Sequence, residues 1–464
     1  MGGLSRKAQY FGQVARSSKL PLLKVDGGGL LFERPQLGPH ELEQAKVAAE
    51  GLVAGYNLIG YEAVGVGGLD LAGGLDFLKN MAGRAKFAWL SANLVDPGSG
   101  KPLFTPFISR QLGNTRVAII GITSDQVQVA GIPGAAATIK PWAATLAALV
   151  PELARRHDFL VLLTDLPPKV CGNLARQFPA VHLIINAGGD AHNQPPRTLA
   201  AATLLASAAR QGKYVGALEV TWSRGGRWGE GESRFLALRN KEAELQRTSA
   251  QLAEVGSGPE LASQAGNLQR RQVLLQEEIA ELRASLKGVE VAFFSNSFPA
   301  MDATVGEEPG VAAIVAQVRE RIGERGRKKA MAASGTGPSP LPDFTGWQVC
   351  GGCHPQATAR WRSTSHAGAY ATLEKQNRQF NVDCLLCHVT GGEAVSTDQL
   401  VALPPELLGV GCEVCHGPGR RHAEGQEKTR PRRVPENLCR NCHVPEHDGD
   451  FDFLRDVEKI RCDR

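Results

Sequence analysis

Nine of the chain's ten cysteines lie between Cys350 and Cys462. Eight of the nine fall into four groups of one spacing: Cys350-Gly-Gly-Cys353-His354, Cys384-Leu-Leu-Cys387-His388, Cys412-Glu-Val-Cys415-His416 and Cys439-Arg-Asn-Cys442-His443. A histidine follows every second cysteine. With histidine at 11 of 464 positions, four out of four by chance is roughly one in 10⁶ to 10⁷ on composition. Two Cys₄ zinc sites would use the pairs but have no need of the histidines. Disulfides within C-x-x-C pairs are strained and redox-active rather than structural staples. The pattern is the attachment signature of c-type haem. Two thiols add to the two vinyl groups of one porphyrin, and the next residue reaches the iron through an imidazole nitrogen. The segment 346–464 has no methionine and little apolar sequence, so it is a poor core former unless cofactors fill its centre.

The motifs supply proximal ligands in His354, His388, His416 and His443. Outside them the segment holds three histidines, His366, His422 and His447. These are the candidate distal ligands, since no methionine is available there. Three spare imidazoles against four irons predict three bis-histidine haems and one different. That fourth haem is open, binds water, or borrows a ligand such as Lys375 or a histidine from the first domain. Each spare histidine also has a plain surface reading. Arg420, Arg421, Arg430, Arg432 and Arg433 either offset haem propionates or form a solvated basic loop.

The rest of the chain reads differently. Short apolar runs at Leu20–Val25, Ala63–Val66, Phe87–Leu94, Val117–Ile122, Phe159–Leu163, His182–Ile185 and Tyr214–Val220 alternate with helix-like stretches such as His40–Leu58 and Trp142–Arg156. That alternation predicts an α/β domain with a largely buried sheet. Leu238, Leu245 and Leu252 repeat every seven residues, as do Leu261, Leu268, Leu275 and Leu282 after a Gly-Ser-Gly-Pro turn. Residues 236–287 are therefore expected to form an antiparallel helical hairpin. Gly288–Phe298 reads as a strand returning to the first domain, and a helix is expected at about Val311–Arg321. The small, basic, Pro/Gly/Ser-rich stretch near 326–345 reads as a linker.

The cytochrome-like part carries a specific likeness. Gly346-Trp347, Cys350–Pro355, Trp361, Ser365-His366-Ala367, Cys384–His388 with Thr390-Gly391-Gly392, and Gly409–Gly419 with His422 resemble the tetrahaem cytochromes that accept electrons from hydroxylamine oxidoreductase. The resemblance covers about 120 residues. It implies electron transfer, with His366 and His422 as distal ligands, three bis-histidine haems and one five-coordinate haem.

The first domain is similar to the metallophosphoesterase domain of periplasmic 5′-nucleotidases. The likeness rests on Val25–Phe32, Gly60–Asp70, Leu90–Leu94, Val117–Thr123 and Ala187–His192, and covers roughly 220 residues. Such enzymes hydrolyse phosphate esters with two metals. This chain departs at nearly every metal ligand the resemblance implies. Gly29 stands for a bridging Asp, Gly68-Leu69 for an Asn-His pair, Asp165 for a His, and Asp190 for the first His of a Gly-His-x-His motif in which only His192 remains. Glycine and leucine cannot ligate a metal, so a degenerate, non-catalytic domain is expected, with His192 a relic or a recruited haem ligand. His40, His157 and His182 read as surface or helix residues. Cys171 reads as a buried thiol and Cys462 as a loose one.

The expected architecture is multidomain. A metallophosphoesterase-like α/β sandwich (1–235 plus 288–325) carries the inserted hairpin and is followed by a linker and a mainly α/irregular multihaem domain (346–464). The expected function is electron transfer by four covalent haem c groups to a redox protein partner. The alternatives are a haem enzyme acting on a small nitrogen compound at one open haem, and a metal-dependent phosphoesterase. The hairpin is a candidate self-association surface. A net charge of +5 over 464 residues does not argue for nucleic acid. No run of eighteen apolar residues suggests a membrane span. Covalent haem attachment implies a periplasmic or extracellular protein. The first residues lack a signal-peptide pattern, which predicts an upstream start that supplies one.

Overall fold

The computed structural model describes the chain apart from residues 1–2, 128–135, 189–191, 201, 210–211, 229–231, 255–258, 287–290, 335–340, 342, 426–433, 445–447 and 463–464. Two compact units emerge. The first comprises Met1–Pro35 and Leu52–Val311, the second Gln36–Gly51 and Ala312–Arg464.

In the first unit the central sheet has six strands. Their order is Gln194–Ala200, Thr203–Ser207, Leu183–Asn186, Phe159–Thr164, Thr115–Ile122 and Phe107–Leu112. The four inner strands are parallel and both edges are antiparallel. Phe159–Thr164 is buried at every position, as a parallel strand covered on both faces should be. Side chains alternate between two cores. Ala118, Ile120, Ile122, Leu160, Leu162 and Ile184 face Leu146, Val150, Leu153, Cys171 and Leu174, which belong to the helices Trp142–Arg156 and Pro168–Gln177. Val117, Ile119, Phe159, Val161 and Leu163 face Ala63, Leu90, Trp228 and Ala292. Those come from two smaller sheets, one made of Val25–Asp26, Ala63–Gly65 and Ala88–Leu90, the other of Ala217–Trp222, Val291–Ser297 and Arg227–Trp228. Each fully buried aliphatic side chain here contributes roughly 1.5–3 kcal/mol.

The helices Glu232–Glu254 and Pro259–Ser285 leave between two strands that pair with one another, Ala217–Trp222 and Val291–Ser297. Ion pairs link the two helices, with residues 241 and 242 of the first meeting later residues of the second than 244 does. Lys241 Nζ lies 2.8 Å from Glu278, Glu242 accepts from Arg283 at 2.6 Å, and Glu244 pairs with Arg271. The helices are therefore antiparallel. Leu238, Leu275 and Ile279 of the heptads are buried, whereas Val273 and Leu274 are exposed.

Tight turns at the ends of the parallel strands are held by buried carboxylates. Asp70 accepts hydrogen bonds from the backbone N–H groups of Gly29, Leu31 and Gly67 at 2.8, 2.9 and 2.9 Å. Asp165 accepts from Gly68 at 2.6 Å and Ser124 at 2.7 Å. Gly28 and Gly29 take φ of 119° and 68°, which only glycine adopts freely.

In the second unit, Pro309–Ser334 is one helix. Residues 326–334, expected to belong to a linker, are thus helical. Arg-Lys-Lys-Ala-Met-Ala-Ala is a run of strong helix formers, which outweighs its small, basic look. Helix Pro39–Ile59 supplies Gln44 to this unit, and the buried Gln44 carboxamide bridges backbone. Its Nε2 donates to Phe380 O at 2.6 Å and its Oε1 accepts from Val382 N at 3.2 Å. Arg321 pairs with Glu50 at 2.7 Å. The remainder is short helices joined by turns. A small aliphatic cluster sits among them, made of Leu373, Val382, Leu385, Val389, Val395, Leu400 and Val401.

Burial pushes the Asp70 carboxyl from 3.8 up to about 7, against the pull of its three N–H donors and aided by the nearby charge of Asp26. The folded protein therefore keeps a proton that the unfolded chain releases near pH 4, and the stability tied to it is lost as pH rises from about 4 to about 7. D70N replaces one acceptor oxygen with a donor. It should destabilise the fold by about 3 kcal/mol in urea denaturation, and the wild-type advantage should shrink between pH 4 and pH 7.

Candidate functional site

Each C-x-x-C-H motif sits on a short helix or its end. Cys350 and Cys353 lie on Trp347–Cys353, and His354 follows with its N–H on Cys350 O at 2.9 Å. Cys384, Cys387 and His388 lie on Val382–His388, whose N-terminus is capped by the Asn381 side chain accepting from Asp383 N. Cys412–His416 is a helix in itself. Cys439 lies on Glu436–Arg440, and His443 N bonds Cys439 O at 2.9 Å. One helical turn brings both thiols and the imidazole of a motif to one neighbourhood, which is what a single porphyrin edge and its iron require. None of the eight motif cysteines is paired in a disulfide.

The imidazoles are held for ligation. His388 Nδ1 lies 2.8 Å from Ala369 O, and His443 Nδ1 lies 2.7 Å from Asp448 Oδ2. When Nδ1 carries the proton toward oxygen, Nε2 keeps its lone pair for a metal. Two of the predicted distal histidines meet motif histidines. His422 and His354 have ring centres 6.3 Å apart at an interplanar angle of 24°, and those of His366 and His443 are 5.9 Å apart. A metal–imidazole bond is about 2 Å, so these separations leave room for one metal atom between the rings. Among the described residues no ring contact pairs His388 or His416 with a second imidazole. His447 lies outside the described residues, as do Arg430, Arg432 and Arg433. The donor set fits haem c.

The motifs also touch one another. The Cys350 thiol is drawn down to about 7, first by a hydrogen bond with the Cys412 thiol, against burial and the charge of Glu413. Cys387 Sγ is 4.0 Å from Asn441 O. Burial pushes the Cys415 thiol up to about 11, and the charge of Cys439 adds to this.

Several residues that join the motifs carry no ligand signature. Glu413, inside the third motif, is buried. Its Oε1 accepts from Thr345 N at 2.9 Å and Gly419 N at 2.7 Å, and its Oε2 from Gly346 N at 2.8 Å. The buried Thr390 hydroxyl donates to Gly409 O and accepts from Gly411 N. Trp361 Nε1 donates to Val410 O at 2.8 Å. Arg420 gives its N–H to Asp343 O and its guanidinium to Phe344 O. A charged residue between two haem-anchoring cysteines marks Glu413 in the sequence, and Trp361 and Thr390 stand within the cytochrome-like motifs.

The second candidate site, in the first unit, does not fit two metals. Among the described residues no group of three or more His, Cys, Asp or Glu side chains converges to hold a metal ion. Gly68 packs against Val127, and Leu69 lies beside Gly29. Asp165 is spent on two backbone N–H groups. Asn93 is buried and spent on Thr123 and Lys140 backbone. His192 is exposed and Asp190 lies outside the described residues.

The remaining expectations sort by burial. Cys171 is fully buried and its thiol pushed up to about 12 by burial, while Cys462 is exposed. His157 bonds Ser109 Oγ at 2.8 Å near the surface. His40 and His182, expected as surface or helix residues, are more enclosed. His40 is buried against Gln44. His182 stacks on Phe159 and accepts from Leu160 N, and burial lowers it to about 4.

Comparison with known proteins bears on both parts. The family profile "Cytochrome c554 and c-prime" matches residues 349–417. Cytochrome c-554 of Nitrosomonas europaea is 33% identical over 101 residues, covering 18% of this chain and 43% of that protein. Protein UshA of Salmonella pullorum is 30% identical over 189 residues, covering 38% of this chain and 34% of that protein. A solved 5′-nucleotidase precursor from Thermus thermophilus shares 23% identity at a TM-score of 0.41, over 48% of this chain and 46% of that one. The chain thus spans less than half the length of the curated relatives it matches. Its C-terminal part matches the cytochrome c554 family, which supports haem c as a cofactor, and its N-terminal part resembles the 5′-nucleotidases.

Proposed function

We propose that the protein is an electron carrier with four covalently bound c-type haems, whose metallophosphoesterase-like part is a non-catalytic scaffold or docking module for a redox protein partner. The observation that carries this reading is the set of four C-x-x-C-H helices, two of whose histidines face His422 and His366 across a one-metal gap. Haem supplies one-electron exchange at iron; the protein supplies ligands, burial and nearby charge. His354 with His422 and His443 with His366 are the first two axial pairs. His447 completes the haem of His416 or His388 and leaves the other five-coordinate. The packing of motif one against motif three and the Cys387–Asn441 contact between motifs two and four support close spacing of the haems within each of those pairs.

Haem attachment to C-x-x-C-H takes place outside the cytoplasm, so we place the protein in the periplasm or beyond it. No helix among the described residues is long and apolar enough to cross a membrane. The hairpin, with exposed Val273 and Leu274, is where self-association would occur.

A pyridine haemochrome assay on fully matured protein should return four haems per chain, and C384A/C387A should return three. Three or fewer from the wild type overturns the proposal. Saturating Mn²⁺ should neither raise the Tm of the holoprotein nor confer nucleotide hydrolysis. A saturable rise in Tm would establish metal binding to the folded state and revive the phosphoesterase reading.

One observation favours a second reading. His388 is oriented through Nδ1, yet no second imidazole pairs with it among the described residues. An open iron there would bind a small nitrogen oxide. Ferric protein should then show a high-spin signal that nitric oxide shifts, and four low-spin haems indifferent to nitric oxide dispose of it.

A further inference from the structure

Glu413 does work that haem ligation alone does not require. It is buried, 5% exposed, and it sits between the two cysteines of the third motif. Its three N–H donors come from two separate stretches. Thr345 and Gly346 precede the first motif helix, and Gly419 follows the third. No lysine or arginine pairs with it among the described residues. The carboxylate is solvated only by backbone dipoles, an arrangement that holds a buried anion at fixed positions.

The surrounding chain is built to this carboxylate. Gly346 takes φ of 86°, and a Cβ there would run into Glu406. A Cβ on Gly419 would stand 3.2 Å from Glu413 Oε1. Arg420 closes the same two stretches a second time, through Asp343 O and Phe344 O. At this clasp the first and third motif helices, Trp347–Cys353 and Cys412–His416, pack together, so the first and third haem anchors are brought together where the carboxylate is buried.

We propose that Glu413 is a positioning residue that locks the first motif against the third, fixes the spacing of their two haems, and by its unpaired buried charge biases both irons toward the ferric state. This rests on the four-haem reading given above. A negative charge in a poorly screened site favours the more positive oxidation state of a neighbouring iron. Two haems out of four are addressed, because the three donors flank the first and third motifs only.

The test is a spectroelectrochemical titration of the full-length holoprotein, with haem content measured in parallel. E413Q keeps the volume and removes the charge. It should retain four haems and move two of the four midpoint potentials upward, leaving two in place. E413D keeps the charge on a shorter stem and should move the same two by less than half as much. No shift in E413Q, or equal shifts in both variants, overturns the proposal, since a merely structural role would perturb both alike. Should neither variant mature, G419A displaces the carboxylate instead, and unchanged potentials there overturn it. Wild-type protein without covalent haem defeats the four-haem reading itself; four haems with an unmoved E413Q defeats only this inference.

Discussion

The spacing of four C-x-x-C-H motifs is the constraint on which the C-terminal part depends. Its aliphatic cluster is small, seven residues gathered around Val382–His388. A segment of over a hundred residues normally buries far more apolar surface to offset chain entropy. The motif helices run only five to seven residues where they are complete, too short to persist alone. Their persistence is understandable when each is covalently tied to a rigid porphyrin and the porphyrin faces replace the missing side-chain core. The polypeptide then has a narrower task. It must supply ligands at a set spacing and satisfy the backbone groups left over where so many short helices begin and end.

That second task explains a device found in both units. Buried backbone N–H groups need acceptors, and here carboxylates serve several at once. Asp70 takes three, Asp165 two and Glu413 three. In the first unit these acceptors hold glycine-rich turns at the ends of parallel strands, the location at which α/β folds usually place ligands. Asp165 and Asp70 are spent inward on Gly29, Gly67 and Gly68, and Val127 packs over Gly68. A metal cation would organise such turns by charge; here carboxylate hydrogen bonds to backbone N–H groups hold them.

What the sequence made legible follows from how local each signal is. The haem motifs, the buried strand Phe159–Thr164 and the helix Trp142–Arg156 are written in consecutive residues, and they appear where expected. The heptad leucines likewise mark two packed helices, though among the described heptad leucines only Leu238 and Leu275 are deeply buried. Leu20–Val25 shrinks to a strand at Val25–Asp26, because pairing with Ala63–Val64, and not apolar content, decides where it starts. The strands Phe107–Leu112 and Gln194–Ala200 escaped notice. They are half-exposed edges with mixed sequence, stabilised by neighbours distant in the chain. His366 opposite His443 and His422 opposite His354 were legible as spare ligands but not as pairs, since partner choice is a tertiary fact.

The division of the chain shows the same limit most clearly. Composition places a boundary near residue 326, where Arg and Lys give way to Pro, Gly and Ser. Packing instead assigns Gln36–Gly51 to the second unit, where Arg321 pairs with Glu50, Arg325 with Glu43, and Gln44 bridges backbone. A carboxamide has a donor and an acceptor on one planar group, so Gln44 can satisfy Phe380 O and Val382 N together, as a neighbouring strand would. The backbone it satisfies leads directly into the second haem motif, and the Asn381 cap begins that motif's helix. An alanine at position 44 would leave both groups buried without partners. The helix that carries Gln44 also reads, in sequence, as an ordinary element of the first domain. Part of the second unit's own frame is therefore encoded 338 residues upstream of Val382, where the second motif helix begins.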